Sequence, residues 1–303
     1  MSTVLVLALA LGLDAIFGEP RLLWERVPHP AILMGRLVGW CDAKMNFGEN
    51  RIAKGGIALL LLVLCAGVVG WVLSFFGGVV AVCVVAVLLA HKSLVQHVTA
   101  VATALRYSTE EGQRAVSMIV SRDTSHMDDS AVARSAIESA AENYSDGVIA
   151  PAFWFLVAGL PGILIYKVVN TADSMIGYRT EKYEEFGKAA ARLDDLLNWV
   201  PARLTALMLA LVGGAVSKWK DIANDASMHK SPNAGWPEAA LSRGLGIAVA
   251  GPRMYHGTLQ DFAWVNPMGR KTLKVNDIEA TVGMLWKTSV ILMAALIAAA
   301  LVL

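Results

Sequence analysis

The longest apolar stretch of the chain is a run of 35 residues from Gly56 to Ala90, broken only by Ser74 and the pair Gly77-Gly78. A membrane-spanning helix needs about 20 apolar residues, so this run is nearly long enough for two passes joined by a glycine turn. Of the 303 residues, 56% are hydrophobic and 17% are charged, which fits a polytopic membrane protein. We therefore predict an all-α integral membrane protein that forms a single domain over residues 1–303.

The hydropathy pattern predicts four transmembrane helices, which cover residues 1–17, 56–73, 78–90 and 285–303. Two further apolar segments, 148–169 and 199–216, contain helix breakers, of which Gly159-Leu160-Pro161-Gly162 is the strongest. We expect neither segment to cross the membrane fully. We interpret segment 148–169 as a re-entrant or membrane-buried hairpin. Protein groups or water would form the hydrogen bonds that its backbone loses at the break.

Lysine and arginine are concentrated in three loops, with six in 19–55, five in 91–147 and eight in 217–286, while the 74–78 turn has none. The positive-inside rule places these loops in the cytoplasm and both termini outside. The loop 91–141 is predicted to be helical, with helix starts near Thr109 and Asp128. Much of 217–284 is predicted to be irregular. The net charge of +1 and the scattered basic residues do not indicate a nucleic-acid partner.

The polar side chains between residues 134 and 238 are the candidate active-site core. Glu138 and Glu142 are four residues apart and share a helix face, and Asp146 lies one turn further if the helix continues to it. Asn143 flanks this row. Oxygen-rich sites of this kind suit Mg²⁺, which also takes phosphate oxygens and water. The alternative is a solvated helix face that carries an Arg134–Glu138 ion pair.

A second cluster lies in YKVVNTADSMIGYR, where Asn170 and Asp173 are three residues apart on one helix face. Lys167 precedes them, and Arg179 follows a predicted helix break at Gly177. Acceptors and cations at a helix end suit a metal-bound polyphosphate. Helix capping with snorkelling cations is the alternative interpretation.

Two further clusters follow along the chain. In ARLDDLLNWVPAR, Asp195 and Asn198 are three residues apart and predicted to reach one ligand, unless this is a solvated interfacial helix. In HKSPNAGWPEAA, His229 and its neighbours lie in a loop that proline and glycine restrain, which suits phosphate contact. An isolated histidine is more often structural. The early segment with Arg21, His29 and Arg36 reads equally well as an interfacial amphipathic segment.

The chain closely resembles the CobD/CbiB family of cobalamin biosynthesis. The resemblance is carried, in order, by DAIFGEP with VPHPAILMGRLV, ESAAENYSDGVIAPAFW, YKVVNTADSMIGYR, FGKAAARLDDLLNWVPARLTA and SPNAGWPEAA. It covers essentially the whole chain, with its most specific part between Glu138 and Thr205. Family features do not align clearly over 251–278.

The resemblance implies an inner-membrane adenosylcobinamide-phosphate synthase with a cytoplasmic active site. That enzyme joins a propionate carboxylate of adenosylcobyric acid to the amine of (R)-1-amino-2-propanol or its O-phosphate, with ATP and Mg²⁺. Phosphoryl transfer needs positioning and charge neutralisation more than a protein nucleophile, which fits acids and cations without a catalytic triad. The lipid bilayer and later membrane-bound corrinoid enzymes are the other expected partners.

The implied roles fall into three groups. The metal ligands are Glu138, Glu142, Asp146 and Asp173. The catalytic residues are Glu142, Asp146, Asp195 and His229, and either of the last two would take the proton of the attacking amine. The residues that hold ATP or substrate are Asn143, Lys167, Asn170, Arg179, Lys182, Arg192, Asn198, Arg203, Lys230 and Asn233.

Two other functions are compatible with single features of the chain. An anionic-solute transporter would explain acids in broken helices, although there are few spans and no inverted repeat. A membrane phospho-alcohol transferase would also use acids, but its Asp-Gly-x-x-Ala-Arg pattern is missing, because Val, Ile, Ala and Pro follow Asp146-Gly147.

Overall fold

The computed structural model describes residues 1–20, 24–120, 122–255, 258–260 and 262–302, so Arg21 lies outside the described residues. The predicted all-α class is confirmed, because helices form nearly all of the regular structure. The helices are α1 Thr3–Phe17, α2 Pro30–Met45, α3 Arg51–Ser74, α4 Gly77–Leu88, α5 His91–Leu105, α6 Thr109–Ser117, α7 Asp129–Tyr144, α8 Ala150–Ile176, α9 Lys188–Leu197, α10 Trp199–Val212, α11 Trp219–Ser227, α12 Gly235–Leu245 and α13 Val275–Val302.

Short irregular elements complete the described chain. A π-helical turn, Ser145–Ile149, joins α7 to α8, and a 3₁₀ turn, Val216–Lys218, precedes α11. Strand β1 (Val249–Ala250) pairs antiparallel with β4 (Trp264–Val265), with Val249 opposite Val265. Strands β2 (Arg253–Tyr255) and β3 (Thr258–Gln260) form a second antiparallel pair.

Among the described residues, four helical stretches are long and apolar enough to cross a membrane, namely Arg51–Ser74, Gly77–Leu105, Asp129–Ile176 and Val275–Val302. A fifth is obtained if α9 and α10, which meet at a bend of 44°, are counted as one span. The predicted number is therefore confirmed, but one predicted member is wrong by this criterion. Helix α1 has only 15 residues, or about 22 Å at 1.5 Å per residue, against a hydrocarbon core of about 30 Å.

Helix α8 turns back on itself within the segment predicted to be a hairpin. The Tyr166 hydroxyl lies 3.1 Å from the carbonyl oxygen of Asp146, although 20 residues of straight helix would separate them by about 30 Å. The backbone leaves helical geometry at Ala158 and at Gly159, which has φ 62° and ψ −149°. This conformation is open essentially to glycine alone. The glycine–proline break therefore forms a helical hairpin, as predicted.

The hairpin turn packs against a glycine of α3. A Cβ added to Gly70 would lie 2.5 Å from Pro161 Cα and 2.6 Å from Pro161 N, which are backbone atoms that cannot swing away. We expect Gly70→Ala to reduce the free energy of unfolding by about 1–3 kcal/mol through overpacking. Thermal unfolding in detergent would measure the change.

Gly56 in the same helix is the matched control, because a Cβ there would meet nothing within 4 Å. Gly56→Ala is expected to stabilise the protein by about 0.5–1 kcal/mol through helix propensity alone. Equal effects of the two substitutions would contradict the close packing of α3 on the turn.

The chain divides into two compact units, each assembled from separate segments. Unit 1 contains residues 1–90, 146–199 and 293–303, and unit 2 contains 91–145 and 200–292. In unit 1, α3 packs along α8, and α1 packs against α4. In unit 2, α5 packs against α6 and α7, and α11 packs against α12. The single domain over 1–303 stays a prediction.

The predicted helix starts near Thr109 and Asp128 are confirmed, because Ser108 caps α6 and Asp128 caps α7 through their side-chain oxygens. Helix α7 ends at Tyr144, and the π-helical turn Ser145–Ile149 carries the backbone on into α8. The predicted irregular structure of 217–284 is wrong in part, because α12 and the start of α13 lie within it.

Candidate functional site

A network of side-chain hydrogen bonds in unit 1 is centred on the buried carboxylate of Asp194. Asn170 Nδ2 donates to Asp194 Oδ1 at 3.2 Å, and Asn198 Nδ2 donates to Asp194 Oδ2 at 3.0 Å. The Tyr166 hydroxyl is within hydrogen-bond distance of Asn198 Oδ1 (3.0 Å) and of the carbonyl of Asp146 (3.1 Å). Both carboxylate oxygens are therefore held by amides, which fixes the position of the charge.

Local helix geometry explains this arrangement. Asp194 and Asn198 are four residues apart at the end of α9, so their side chains lie on one face. Helix α9 packs against α8, which brings Asn170 to the same carboxylate. The hairpin returns Tyr166 to the π-helical turn that contains Asp146. Single π-helical turns occur frequently at functional sites.

Three carboxylates of unit 1 are close enough to interact electrostatically. Asp194 interacts with both Asp173 and Asp195, and Asp173 also interacts with Asp195. Asp173 and Asp195 are half-buried, and Arg179 attracts the charge of Asp195. Like charges held together in this way favour a bound cation or a cation-bearing ligand.

A lysine of α8 also interacts with acidic residues of unit 1. Lys167 interacts electrostatically with Asp146 and with Glu19. His29 lies near the same charges, and its pKa is lowered by burial and by Lys167, against the raising effects of Glu19 and the backbone of Val87. Neither Glu19 nor Tyr166 is among the site residues predicted from the sequence. Tyr166 could have been predicted from the sequence, because it directly precedes Lys167 in the motif YKVVNTADSMIGYR.

Two predicted ligand-binding residues of unit 1 lie outside this network. Lys182 is exposed and donates from Nζ to Asp42 Oδ2 at 2.7 Å. Burial tends to raise the pKa of Asp42, but the hydrogen bonds from Lys182, Asn46 and Tyr183 lower it overall, and the pKa of Lys182 is raised to about 12. Arg192 is exposed on α9. Their contact with ATP or substrate stays a prediction.

The structure does not assemble the predicted four-carboxylate metal site. Glu138 is buried in unit 2, with Arg122 Nη2 at 2.7 Å from Oε2 and the backbone N–H of Ala250 donating to Oε1 at 2.7 Å. Glu142 is exposed on α7. Within the described ranges, no group of three or more His, Cys, Asp and Glu side chains has metal-binding geometry.

The four predicted metal ligands divide between the units. Glu138 and Glu142 belong to unit 2, and Asp146 lies in the π-helical turn after Tyr144. Asn143, the flanking residue, donates back to Ser139 of its own helix, to the carbonyl at 2.9 Å and to Oγ at 3.0 Å. Asp146 and Asp173 both belong to unit 1.

Unit 2 contains the remaining predicted residues. Arg203 Nη1 donates to Asn233 Oδ1 at 3.3 Å, and its guanidinium lies 4.7 Å from the Trp236 ring centroid. His229 Nδ1 lies 3.0 Å from the backbone nitrogen and 3.3 Å from the carbonyl of Ser231, which orients the imidazole ring. His229 Nε2 lies 3.9 Å from the buried Glu238 carboxylate. The loop thus holds a histidine and an arginine in defined orientations.

Comparisons with known proteins agree over nearly the whole chain. A family model described as CobD/Cbib protein matches residues 7–285. Similar proteins named "Cobalamin biosynthesis protein CobD" include one from Brucella anthropi, 44% identical over 99% of this chain and 97% of that protein. One from Rhizobium meliloti is 45% identical over 98% and 97%, and one from Rhodobacter capsulatus is 43% identical over 88% of each. No solved structure matches.

Proposed function

The chain belongs to the CobD/Cbib protein family of cobalamin biosynthesis, and we propose that it forms the amide between adenosylcobyric acid and an aminopropanol. The amine is (R)-1-amino-2-propanol or its O-phosphate, and the product is adenosylcobinamide or its phosphate. The observation that carries the proposal is the carboxylate–amide network on Asp194, beside the Asp173, Asp195 and Arg179 charges. An acidic cluster with a neighbouring arginine suits a metal-bound polyphosphate, and ATP-dependent activation of a carboxylate would use such a ligand.

The proposed reaction has two steps. A propionate oxygen of the corrinoid attacks the γ-phosphorus of ATP, so that an O–P bond forms and ADP leaves. The amine then attacks the carbonyl carbon of the acyl phosphate, the C–N bond forms, and inorganic phosphate leaves with the C–O bond electrons. The amine also loses a proton, which goes to Asp195 or His229. Positioning and charge stabilisation supply most of the catalysis in phosphoryl transfer.

The unit 1 residues support this chemistry in distinct ways. Arg179 interacts electrostatically with Asp195, and Lys167 interacts with Asp146, so both cations would stabilise phosphate charge. Asn170 and Asn198 hold Asp194 in one orientation, and the buried Tyr166 braces Asn198. A network whose members are each hydrogen-bonded to a neighbour keeps the charges preorganised.

Magnesium is part of the proposal as a partner of the nucleotide. Mg²⁺ is usually held by one or two carboxylates, with substrate phosphates and water completing its shell, so a ready-made protein cage is unnecessary. Asp173 and Asp195 fit this role because they are half-buried and lie within one acidic cluster. When bound, the ion would neutralise phosphate charge. The assignment of Glu138 to the metal is not retained, because that carboxylate is committed to Arg122 and Ala250.

The proposed location is the inner membrane, with the site at its cytoplasmic edge. The helices that are long and apolar enough to cross a membrane, together with the lysine- and arginine-rich loops, support it. Association with later corrinoid enzymes in the same membrane is part of the proposal.

Reconstitution of the reaction tests the function directly. Purified full-length protein in detergent, given ATP, Mg²⁺, adenosylcobyric acid and aminopropanol phosphate, is expected to form adenosylcobinamide phosphate and one equivalent of ADP. Mass spectrometry identifies the corrinoid, and chromatography identifies the nucleotide. Omission of either the acid or the amine should stop product formation. Failure to form an amide, with all four components present and the protein folded, would overturn the proposal.

A further inference from the structure

Unit 1 contains an apolar cavity that is bounded by helices α2, α3, α4 and α8. Its volume is about 470 Å³, which lies within the range of about 300–1,000 Å³ that is usual for ligand-binding clefts. The described residues that line it all belong to unit 1, and none of them carries a charged side chain. The cavity opens at the protein surface, because its lining residues Leu33, Cys65 and Cys83 are exposed. A ligand of this cavity would therefore be apolar.

Three of the four helices, α3, α4 and α8, belong to stretches that are long and apolar enough to cross a membrane. Helix α3 lines the cavity from Leu62 to Leu73. Beside the Leu73 end, the aromatic side chains of Trp71, Phe75 and Phe76 are exposed around the turn between α3 and α4. Exposed aromatic residues at the end of a spanning helix are typical of the membrane interface. One end of the cavity therefore lies at the membrane surface.

The other end of the cavity lies deeper in the unit. Trp24 lines this end, and its ring packs edge-on against His29 with 4.5 Å between the ring centroids. His29 in turn contacts the backbone of Val87, which is near the end of α4 that is remote from the aromatic turn. The cavity is thus a groove that runs from the aromatic turn to Trp24.

The length of the groove matches one leaflet of a bilayer. The positions of Leu62 and Leu73 on α3 are separated by about 16 Å at 1.5 Å per residue. The hydrocarbon core of a membrane is about 30 Å thick, so one leaflet supplies about 15 Å. A helix of a second protein copy, about 10 Å in diameter over this length, would need at least about 1,200 Å³ and is too large. A single hydrocarbon chain suits both the length and the apolar lining.

We propose that this groove binds one acyl chain of a membrane phospholipid. The acyl chain enters beside Trp71 and Phe75, with the lipid headgroup at the membrane interface, and its tail reaches towards Trp24. The phospholipid belongs to the leaflet that meets the turn between α3 and α4.

The returning arm of α8 separates the groove from the carboxylate network. Leu164 and Val168 line the groove and are four residues apart, so they lie on one face of the helix. Tyr166 and Asn170, which form hydrogen bonds in the network, lie on the opposite face by helical periodicity. A bound acyl chain therefore supports this arm from the side remote from Asp194, and added phospholipid should raise the thermal unfolding midpoint.

Native mass spectrometry of the delipidated full-length protein in detergent, without ATP or corrinoid, tests the binding. The probes are dioleoyl phosphatidylethanolamine, its single-chain lyso form, and glycerophosphoethanolamine, which has no acyl chain. Each of the first two is expected to bind at one molecule per protein and at least about tenfold more tightly than the third. Equal binding of all three probes, absence of binding, or an affinity that depends on the headgroup and not on the acyl chain would overturn the proposal.

The variant Ala66→Phe fills the groove from α3. It is expected to weaken binding of both chain-bearing probes by at least about tenfold. Ala53→Phe is the matched control, because Ala53 is an exposed alanine of the same helix outside the groove lining, and it should bind both probes normally. Unchanged lipid binding in a folded Ala66→Phe protein would contradict the proposed position of the acyl chain.

Thiol labelling of the unmodified sequence gives a second measurement that does not depend on the folding of a variant. Cys65 and Cys83 line the groove and are exposed, whereas Cys41 is buried. N-ethylmaleimide should modify the first two in delipidated protein, and phosphatidylethanolamine at ten times its Kd should slow their modification about tenfold. Labelling that is unaffected by lipid would overturn the proposal. Protection of both thiols by dimer formation without lipid would also overturn it, because a second copy of the protein would then cover the groove.

Discussion

Replacement of Asp173 by asparagine is expected to lower the rate of amide formation at least about hundredfold without loss of folding. Asp173 interacts with Asp195 and with the buried Asp194. Its charge therefore contributes to the negative electrostatic potential that would attract the metal ion of a metal-bound nucleotide. The substitution keeps the shape of the side chain and removes the charge. It should not lower the thermal unfolding midpoint, because one of three mutually repelling carboxylates is neutralised. Product formation under saturating ATP and thermal unfolding in detergent are the two measurements.

The control for Asp173→Asn is Glu184→Gln, which removes the same charge from an exposed position of unit 1. The control is expected to change the rate less than twofold. A large drop in the unfolding midpoint of Asp173→Asn would show that this carboxylate stabilises the fold. Normal turnover would remove Asp173 from the site, and Glu142, whose role stays a prediction, would then be the next carboxylate to test.

Replacement of Glu138 by alanine is expected to reduce the free energy of unfolding by about 3–5 kcal/mol. Glu138 is buried and its partner Arg122 is only 14% exposed, so the variant leaves a poorly solvated guanidinium without this carboxylate. It also removes the acceptor of the Ala250 backbone N–H. Glu138→Gln should cost less, because the amide oxygen can still accept from Ala250. Denaturation in detergent, followed by tryptophan fluorescence, would measure both variants.

The exposed pair Arg114–Glu111 in the same unit is the comparison. Its atoms approach to 2.6 Å, yet its side chains are 75% and 51% exposed, so Glu111→Ala should cost no more than about 0.5 kcal/mol. If Glu138→Ala instead retained full stability and lost Mg²⁺-dependent activity, the metal-binding role predicted from the sequence would be right and the structural role wrong.

Sequence patterns predicted local structure well where one helix contains all of the relevant residues. The caps at Ser108 and Asp128 and the break near Gly159 follow from side chains that act on their own backbone. Residue spacing did not predict correctly which of two adjacent carboxylates faces the neighbouring helix. Spacing favoured Asp195 with Asn198, whereas the structure bonds Asn198 to Asp194. The rotation of α9 about its own axis decides whether Asp194 or Asp195 faces α8. That rotation depends on how the two helices pack.

The class of the protein, the positions of most helices and the family can be predicted from the chain, because they depend on composition, short-range periodicity and ordered motifs. Which charges meet depends on how the helices pack. Glu138 contacts the backbone of Ala250, 112 positions away, and Asn170 reaches Asp194 because α9 packs on α8. The polar side chains between Arg134 and Thr205 thus separate into a buried ion pair and a carboxylate network. Burial and pairing depend on how helices pack, and the spacing of residues along the chain does not fix them.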